Sequence, residues 1–372
     1  MLAVMIRHFV QEMSLDTAAD RMVFALGRLG SNGVDMFFVL SGFLITRILI
    51  RARGSEAYFR SFYLRRTVRI FPLYYLALVI AFFIWPAVAP GWWLVTNSSG
   101  DHQAWYWLYG CNWLFALKND YVGLAHFWSL AIEEQFYLLW PLGVLALGAK
   151  RIVPFAVAVI GLSVAARWIA TTMGASVLAL YVATPTRLDG LMLGALVAAW
   201  ESKDPALDRA RKLAGPAAGA ALVVLAALLS SGWGAGRTAA LMVVGTLAVN
   251  VLFAALLVAA LTGAARGWPA RLFSFRPFVF LGAYSYGIYV VHPFVQDVLA
   301  RHWQDAWLPR VAGSLLPGRL VFMLLCGTVS VLVALASWHG WEKHWLKLKR
   351  YAPMGASRGA KAEREPACAP ST

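Results

Sequence analysis

Charged side chains are scarce in this chain: Asp, Glu, Lys and Arg together make up only 14% of its 372 residues. Against that, 60% of residues are hydrophobic and mean hydropathy is +0.64, where soluble domains sit near about 45–50% apolar. A soluble surface cannot be assembled from so few polar side chains, so a soluble globular domain is excluded and an integral membrane protein is expected. Acidic residues are scarcer still, 18 against 33 Lys and Arg, for a net charge of +15. In a soluble chain that excess would point to nucleic acid. Here the basic residues fall in short gaps between apolar runs, as the positive-inside rule requires, and no nucleic-acid partner is expected.

Cysteine is nearly absent too. Cys111 falls in a loop, Cys326 in a span and Cys368 in the tail, with neither a disulfide framework nor metal-ligand spacing. No metal site is expected. A charged n-region, apolar h-region and cleavage site are also missing, so no secretory signal peptide is expected. There is no internal repeat, no pair of broken helices of the transporter kind, and no room for a soluble second domain.

What is present is a series of apolar runs. Residues 1–12 are apolar but shorter than the roughly twenty that cross a bilayer, so the first span looks cut off at its start. Residues 13–32 are polar and end in Gly30-Ser31-Asn32-Gly33, which reads as a loop, and 33–50 form a span with Asp35 near one end. The stretch from Arg51 to Arg69 is the most basic, with Arg51, Arg53, Arg60, Arg65, Arg66 and Arg69 against Glu56, and is placed in the cytoplasm. Further spans are read at 70–87, 127–148, 152–173, 183–200, 213–232, 238–263, 278–299 and 317–340.

Residues 88–126 carry Trp92, Trp93, Trp105, Trp107 and Trp113 and could hide another span. An extra crossing would put Lys150-Arg151, the 201–212 loop, Arg266, Arg271, Arg276 and Lys347–Arg350 outside, against the charge rule, so the aromatics are read as an interfacial belt. The expected architecture is all-α, a bundle of about ten transmembrane helices over residues 1–350 with both ends cytoplasmic. Residues 351–372, rich in Ala, Pro, Ser and charge, read as a disordered tail.

The run from His126 to Pro141 places two adjacent carboxylates, Glu133 and Glu134, inside an apolar helix, where ionised groups are costly and mark function. His126, Ser129 and Glu133 fall on one helical face. His8 offers an imidazole able to take a proton from a hydroxyl, with Glu133, Glu134 or Asp35 as candidates to fix its tautomer. Arg66 and Arg69 are spaced i, i+3 beside Arg65 and suit either topology or a phosphate clamp. Arg187 is either a second anion contact or the partner of Asp189. Ser285, Tyr289 and His292 share a face, either as helix–helix glue or as a cavity wall. Cys326 reads as core packing, and Asn97-Ser98-Ser99 as a chance match.

Taken together and in order, these stretches resemble the acyltransferase-3 family of membrane acyltransferases. The matching pieces are His8-Phe9, GVDMFFVLSGFLIT at 33–46, FYLRRTVRIFPLYY at 62–75, HFWSLAIEEQFYLLWP at 126–141, TRLDGLMLGAL at 186–196, LGAYSYGIYVVHPF at 281–294 and Trp341-Glu342-Lys343. The resemblance implies that His8 is the essential histidine, that Arg65, Arg66 and Arg69 form the basic loop on the acyl-CoA side, and that Glu133 and Glu134 are the family's acidic pair. It implies a donor, most simply acetyl-CoA, supplied from the cytoplasm and a glycan or similar hydroxyl acceptor at the outer face of a bacterial inner membrane. Two features depart from the family. An Arg usual eleven positions before the histidine would fall before Met1: either the start is placed too late, which the cut-off first span favours, or the chain lacks a donor contact. The family's Glu-x-Pro is Glu342-Lys343-His344 here.

The expected mechanism has His8 as general base, oriented by Glu133 or Glu134, with the arginines and Arg187 on the donor and with Asp35, Trp128, Ser129, Tyr286 and His292 lining the substrate site. Direct transfer and an acyl-enzyme on Ser129, Tyr286 or His8 both remain open. Acceptor choice is assigned to the aromatic 88–126 segment. The rival expectations are a non-enzymatic lipid or glycan transporter and an inactive scaffold of a glycan-assembly complex.

Overall fold

A computed structural model describes residues 2–9, 17–88, 102–231, 235–263, 274–302 and 314–352. Trp92, Trp93, the Asn97 match, Arg266, Arg271, Cys368 and the 353–372 part of the expected tail lie outside these residues. The described chain is all-α, as hydrocarbon demands: with no water to bond exposed amides, a helix satisfies its backbone within itself. In chain order the helices are α1 Leu2–Phe9, α2 Ala18–Ala52, α3 Tyr58–Val88, α4 Gln103–Trp107, α5 Cys111–Lys118, α6 Phe127–Thr172 and α7 Val177–Val182. There follow α8 Leu188–Lys203, α9 Asp208–Ser230, α10 Thr238–Leu261, α11 Arg276–Ala283, α12 Ser285–His302 and α13 Leu316–Tyr351.

Six of these are long and apolar enough to cross a membrane, or up to seven if the bent pair α11–α12 counts as one span. The expected ten are not reached by that measure, and three elements show why. First, α6 runs for 46 residues but breaks at Gly148, whose φ of 65° lies in the left-handed region open to glycine. The Trp140 and Phe155 rings stack at 5.9 Å on either side of the break. A straight helix would hold them about 22 Å apart. The chain therefore doubles back, as the separate runs 127–148 and 152–173 require.

Second, α8 has 16 residues, about 24 Å, short of the hydrocarbon thickness. It is buried on every side from Asp189 to Ala199, which makes it the central helix of the core rather than a lipid-facing span. Third, the expected continuous span 278–299 is bent by 77° between α11 and α12.

The expected loop before residue 33 is also absent. Thr17 and Asp20 form a reciprocal capping box, and helix continues to Ala52 with a single 3-10 turn at Leu29–Ser31. The glycines there serve contact rather than a turn: a Cβ at Gly30 would lie 1.9 Å from the Ala3 carbonyl oxygen. The 102–126 segment holds only the short α4 and α5, neither long enough to cross a membrane.

Helices α2 and α8 cross at backbone contact. A Cβ on Gly42 would stand 1.8 Å from the Leu191 oxygen, and one on Gly194 would stand 2.0 Å from the Val39 oxygen. Small residues at a crossing let backbones approach where dispersion, not the hydrophobic effect, drives association. At one end of this crossing Arg47 pairs with Glu201 at 2.9 Å; at the other, Asp35 meets Arg187. Gly42→Ala should therefore lower the midpoint of thermal unfolding in detergent, at a cost of about 1–3 kcal/mol or more. Gly215→Ala, where nothing lies within 4 Å, is the control. Equal midpoints for the two variants would contradict this packing.

Candidate active site

Helix α3 carries the basic side chains. Arg66 lies 5.0 Å over the Tyr137 ring and Arg69 lies 5.6 Å over the Trp338 ring. Arg65 donates through Nε to the Ala352 carbonyl at 2.8 Å. All three are half-buried, and none makes an ion pair with a carboxylate among the described residues. Cation–π seats keep the guanidinium groups charged and in place without neutralising them. Beside them, between the ends of α2 and α3, is an apolar recess lined by Leu49, Ala52, Tyr58 and Phe62, with Arg65 at its edge.

From Arg66 a column of polar groups continues along α6. Glu133 accepts from Ser41 Oγ at 2.7 Å and from the Tyr137 hydroxyl at 3.2 Å. Glu134 lies about 100° round the helix, within electrostatic reach of Tyr75, Tyr109 and Tyr286, and its buried Oε1 has no partner. Gln135 is a scaffold residue: its amide donates to the Tyr109 carbonyl and Asn112, and its oxygen accepts from Thr184. These bonds pin the 102–126 segment to the bundle. Tyr286 donates to the Ile70 carbonyl at 2.6 Å, joining α12 to α3.

One helical turn and more above Glu133, α6 meets α12. The Tyr289 hydroxyl donates to the His126 carbonyl. With its single proton so committed, Tyr289 accepts from Ser129 Oγ at 2.7 Å. Three imidazoles gather there: His292 stands 5.1 Å from His8 and 5.8 Å from His126, ring centre to ring centre, each pair edge to face. His292 Nδ1 faces the carbonyls of Ile288 and Tyr289 at 3.1 and 2.9 Å. Carbonyls only accept, so Nδ1 carries the proton and Nε2 presents its lone pair. His126 and His292 are both buried with Nε2 unpartnered. Backbone carbonyls, not a carboxylate, thus set the tautomer of His292.

This differs from the expected arrangement, in which Glu133 or Glu134 orients His8. Glu133 is held by Ser41 and Tyr137, and it sits seven residues, about 10 Å, along α6 from His126. The neighbour of His8 is His292. The sequence places His126 on the helical face of Ser129 and Glu133 but assigns it no role; the structure brings it to His292.

Two buried ion pairs fill the core behind this site. Arg187 binds Asp35 at 2.6 Å, and Arg167 binds Asp189 at 2.8 Å while also donating to the Thr186 and Val243 carbonyls. Arg187 is therefore not the partner of Asp189. The rings of Phe38, Trp128 and Tyr181 enclose its guanidinium at 5.0–5.6 Å, so Trp128 and Asp35 form its box. Arg187 lies at the Asp35 end of α2, 16 residues or about 24 Å from Arg51 along the helix axis, and so at the opposite end of the bundle from Arg65. Arg167, missed in the sequence reading, was signalled by an arginine deep in an apolar run. Glu342 accepts from Ser337 at 3.1 Å. Cys326 packs in the core. Burial pushes the Cys111 thiol up, which excludes a ready thiolate.

The family described as acyltransferase domain matches residues 1–339. The chain belongs to the acyltransferase-3 family. It is 31% identical over 287 residues to the peptidoglycan O-acetyltransferase OatA of Listeria monocytogenes, covering 72% of this chain and 45% of that protein. It is 33% identical over 184 residues to the O-acetyltransferase OatA of Staphylococcus aureus, covering 45% of this chain and 30% of that one. The chain thus spans less than half the length of these curated relatives. No solved structure matches it.

The core ion pairs make a prediction of their own. Asp189→Ala strands the Arg167 charge in the core and should cost about 3–5 kcal/mol, whereas Asp189→Leu combined with Arg167→Met removes both charges and should recover most of it. Thermal unfolding of the purified variants checks this. A double variant as unstable as the single one would contradict the pairing.

Proposed function

We propose that this chain is a membrane O-acyltransferase that moves an acetyl group from acyl-CoA to a hydroxyl of peptidoglycan or a similar glycan. The observation that carries the reading is the polar column. Arginines without carboxylate partners stand at one end, and three imidazoles, two with unpartnered Nε2 atoms, stand at the other. The arginines suit the phosphates of CoA, which guanidinium groups bind in a bidentate manner. The histidine end suits a hydroxyl acceptor. Tyr137 and His126 are eleven residues, about 16 Å, apart along α6, a separation that a long, flexible pantetheine arm is built to bridge.

In this reading His8 takes the proton as the acceptor oxygen attacks the thioester carbonyl. The C–S bond breaks, an O-acetyl ester forms and the proton ends on the CoA thiol. His292, with its Nδ1 proton already committed, offers Nε2 as an acceptor to a second hydroxyl of the acceptor sugar and so keeps the reacting one beside His8. Ser129 and Tyr289, bonded to each other and to α6, fix the relation of α6 to α12 at the reacting point. The positive-inside rule supports a cytoplasmic arginine end and an outer histidine end, in a bacterial cytoplasmic membrane with both chain ends inside. Of the aromatics assigned to acceptor choice, Trp107 stacks on Tyr75 at 5.7 Å and is structural, whereas Trp105 is more open.

The test uses membranes containing the chain, supplied with labelled acetyl-CoA, followed by extraction of glycan and lipid. Label in glycan that disappears with His8→Ala is the expected result. Absence of label from folded protein across several acyl-CoA donors would overturn the proposal and favour transport or scaffolding.

A further inference from the structure

Helix α13 runs back along α3 and ends beside its arginines. Trp341 Nε1 donates to the Pro72 carbonyl at 3.0 Å, Trp338 receives Arg69 on its ring, and the Ala352 carbonyl receives Arg65. Descending α13 from Trp338 thus means descending α3 from Arg69 to Arg65. A π-helical turn at Trp338–Glu342 shifts the register of α13 at the level of Arg69.

From sequence the last basic run, Lys347-Leu348-Lys349-Arg350, is a topology signal. Its members point differently. Lys347 and Arg350 are exposed, and Arg350 is engaged with the Tyr351 hydroxyl at 2.8 Å and with its ring. Lys349 is half-buried, and its carbonyl accepts from the Ala352 N–H at 3.0 Å in the turn whose Ala352 carbonyl holds Arg65, within electrostatic reach of Arg65, Arg66 and Arg69. Four cations are therefore gathered around one place, with no ion pair to a carboxylate on any of them among the described residues. Like charges so arranged repel one another, and an anion bound among them relieves that repulsion.

We propose that Lys349 binds phosphate in the donor site, so that α13 supplies the fourth cation of a cradle whose other three come from α3. This rests on the acyl-CoA reading above. A nucleotide donor carrying several phosphates needs charge from more than one direction, and α3 alone presents its arginines on one helix. Lys349 faces them from the neighbouring helix, where a flexible ammonium can reach a phosphate that the guanidinium groups leave open. Phosphate chemistry alone also fits the headgroup of an anionic lipid, so the experiment separates the two sources.

The experiment measures equilibrium binding of CoA to the full chain in nanodiscs of uncharged lipid, and binding of anionic-lipid vesicles in a parallel arm. Lys349→Ala and Lys349→Gln should each weaken CoA binding about tenfold, the scale of one lost charge-assisted hydrogen bond. Lys349→Arg should stay within about threefold of the parent, and Lys347→Ala should match it. Unchanged thermal midpoints for these variants separate lost binding from lost folding. Parent and Lys349→Ala binding CoA equally would overturn this proposal and leave the donor reading intact. CoA binding by none of the proteins would overturn both. Loss of vesicle binding without loss of CoA binding would reassign Lys349 to a lipid headgroup.

Discussion

In hydrocarbon a polar group has no water to fall back on, and this constraint organises the whole molecule. It makes the described chain all-α, and it forces the polar side chains within the bundle to find partners there or remain unsatisfied. Most of them do find partners. Arg187 and Arg167 each take a carboxylate, Glu133 takes two hydroxyls, and Gln135 bonds to Tyr109, Asn112 and Thr184. The close crossing of α2 and α8 at Gly42 and Gly194 makes several of these bonds geometrically possible, because it brings Asp35 to Arg187.

The polar groups that stay unmatched are the informative ones. His126 and His292 keep Nε2 atoms without partners, Glu134 keeps Oε1, and the α3 arginines keep their full charge. Each unmatched group costs stability that a purely structural bundle would have no reason to forgo. Their placement, cations at one end and imidazoles at the other with Glu133 and Tyr137 between, orders them in the sequence a two-substrate transfer needs. The proposed transfer draws on the arginine end and the imidazole end and assigns no step to Glu134.

Much of this was legible from the chain alone. Apolar runs fixed most helices, and the charge rule correctly kept residues 102–126 from being a span, because a crossing there would have inverted every later basic loop. The doubled path of α6 was legible because Lys150 and Arg151 interrupt two apolar runs. Pairing was not legible. Sequence proximity linked Arg187 to Asp189, yet the crossing of α2 and α8 gives Arg187 to Asp35 and leaves Asp189 to Arg167. The glycines at 30 and 33 looked like a loop because the same residue serves turns and close contacts, and only the neighbouring α1 decides between them. The tautomer of His292 was likewise invisible, since carbonyls one turn earlier on its own helix set it. Of the carboxylates expected to orient His8, Glu133 takes Ser41 and Tyr137 and Asp35 takes Arg187.

The central claim is a division of labour between the two ends of one polar column. The most direct measurement is the steady-state kinetics of acetyl transfer for His8→Ala and for Arg66→Ala, each against varied acetyl-CoA. The account predicts that His8→Ala lowers kcat by roughly a hundredfold or more with little change in the KM for acetyl-CoA. It predicts that Arg66→Ala raises that KM about tenfold and largely spares kcat. Variants that both lose kcat, or that exchange these effects, would contradict the assignment of chemistry to the histidine end and donor binding to the arginine end.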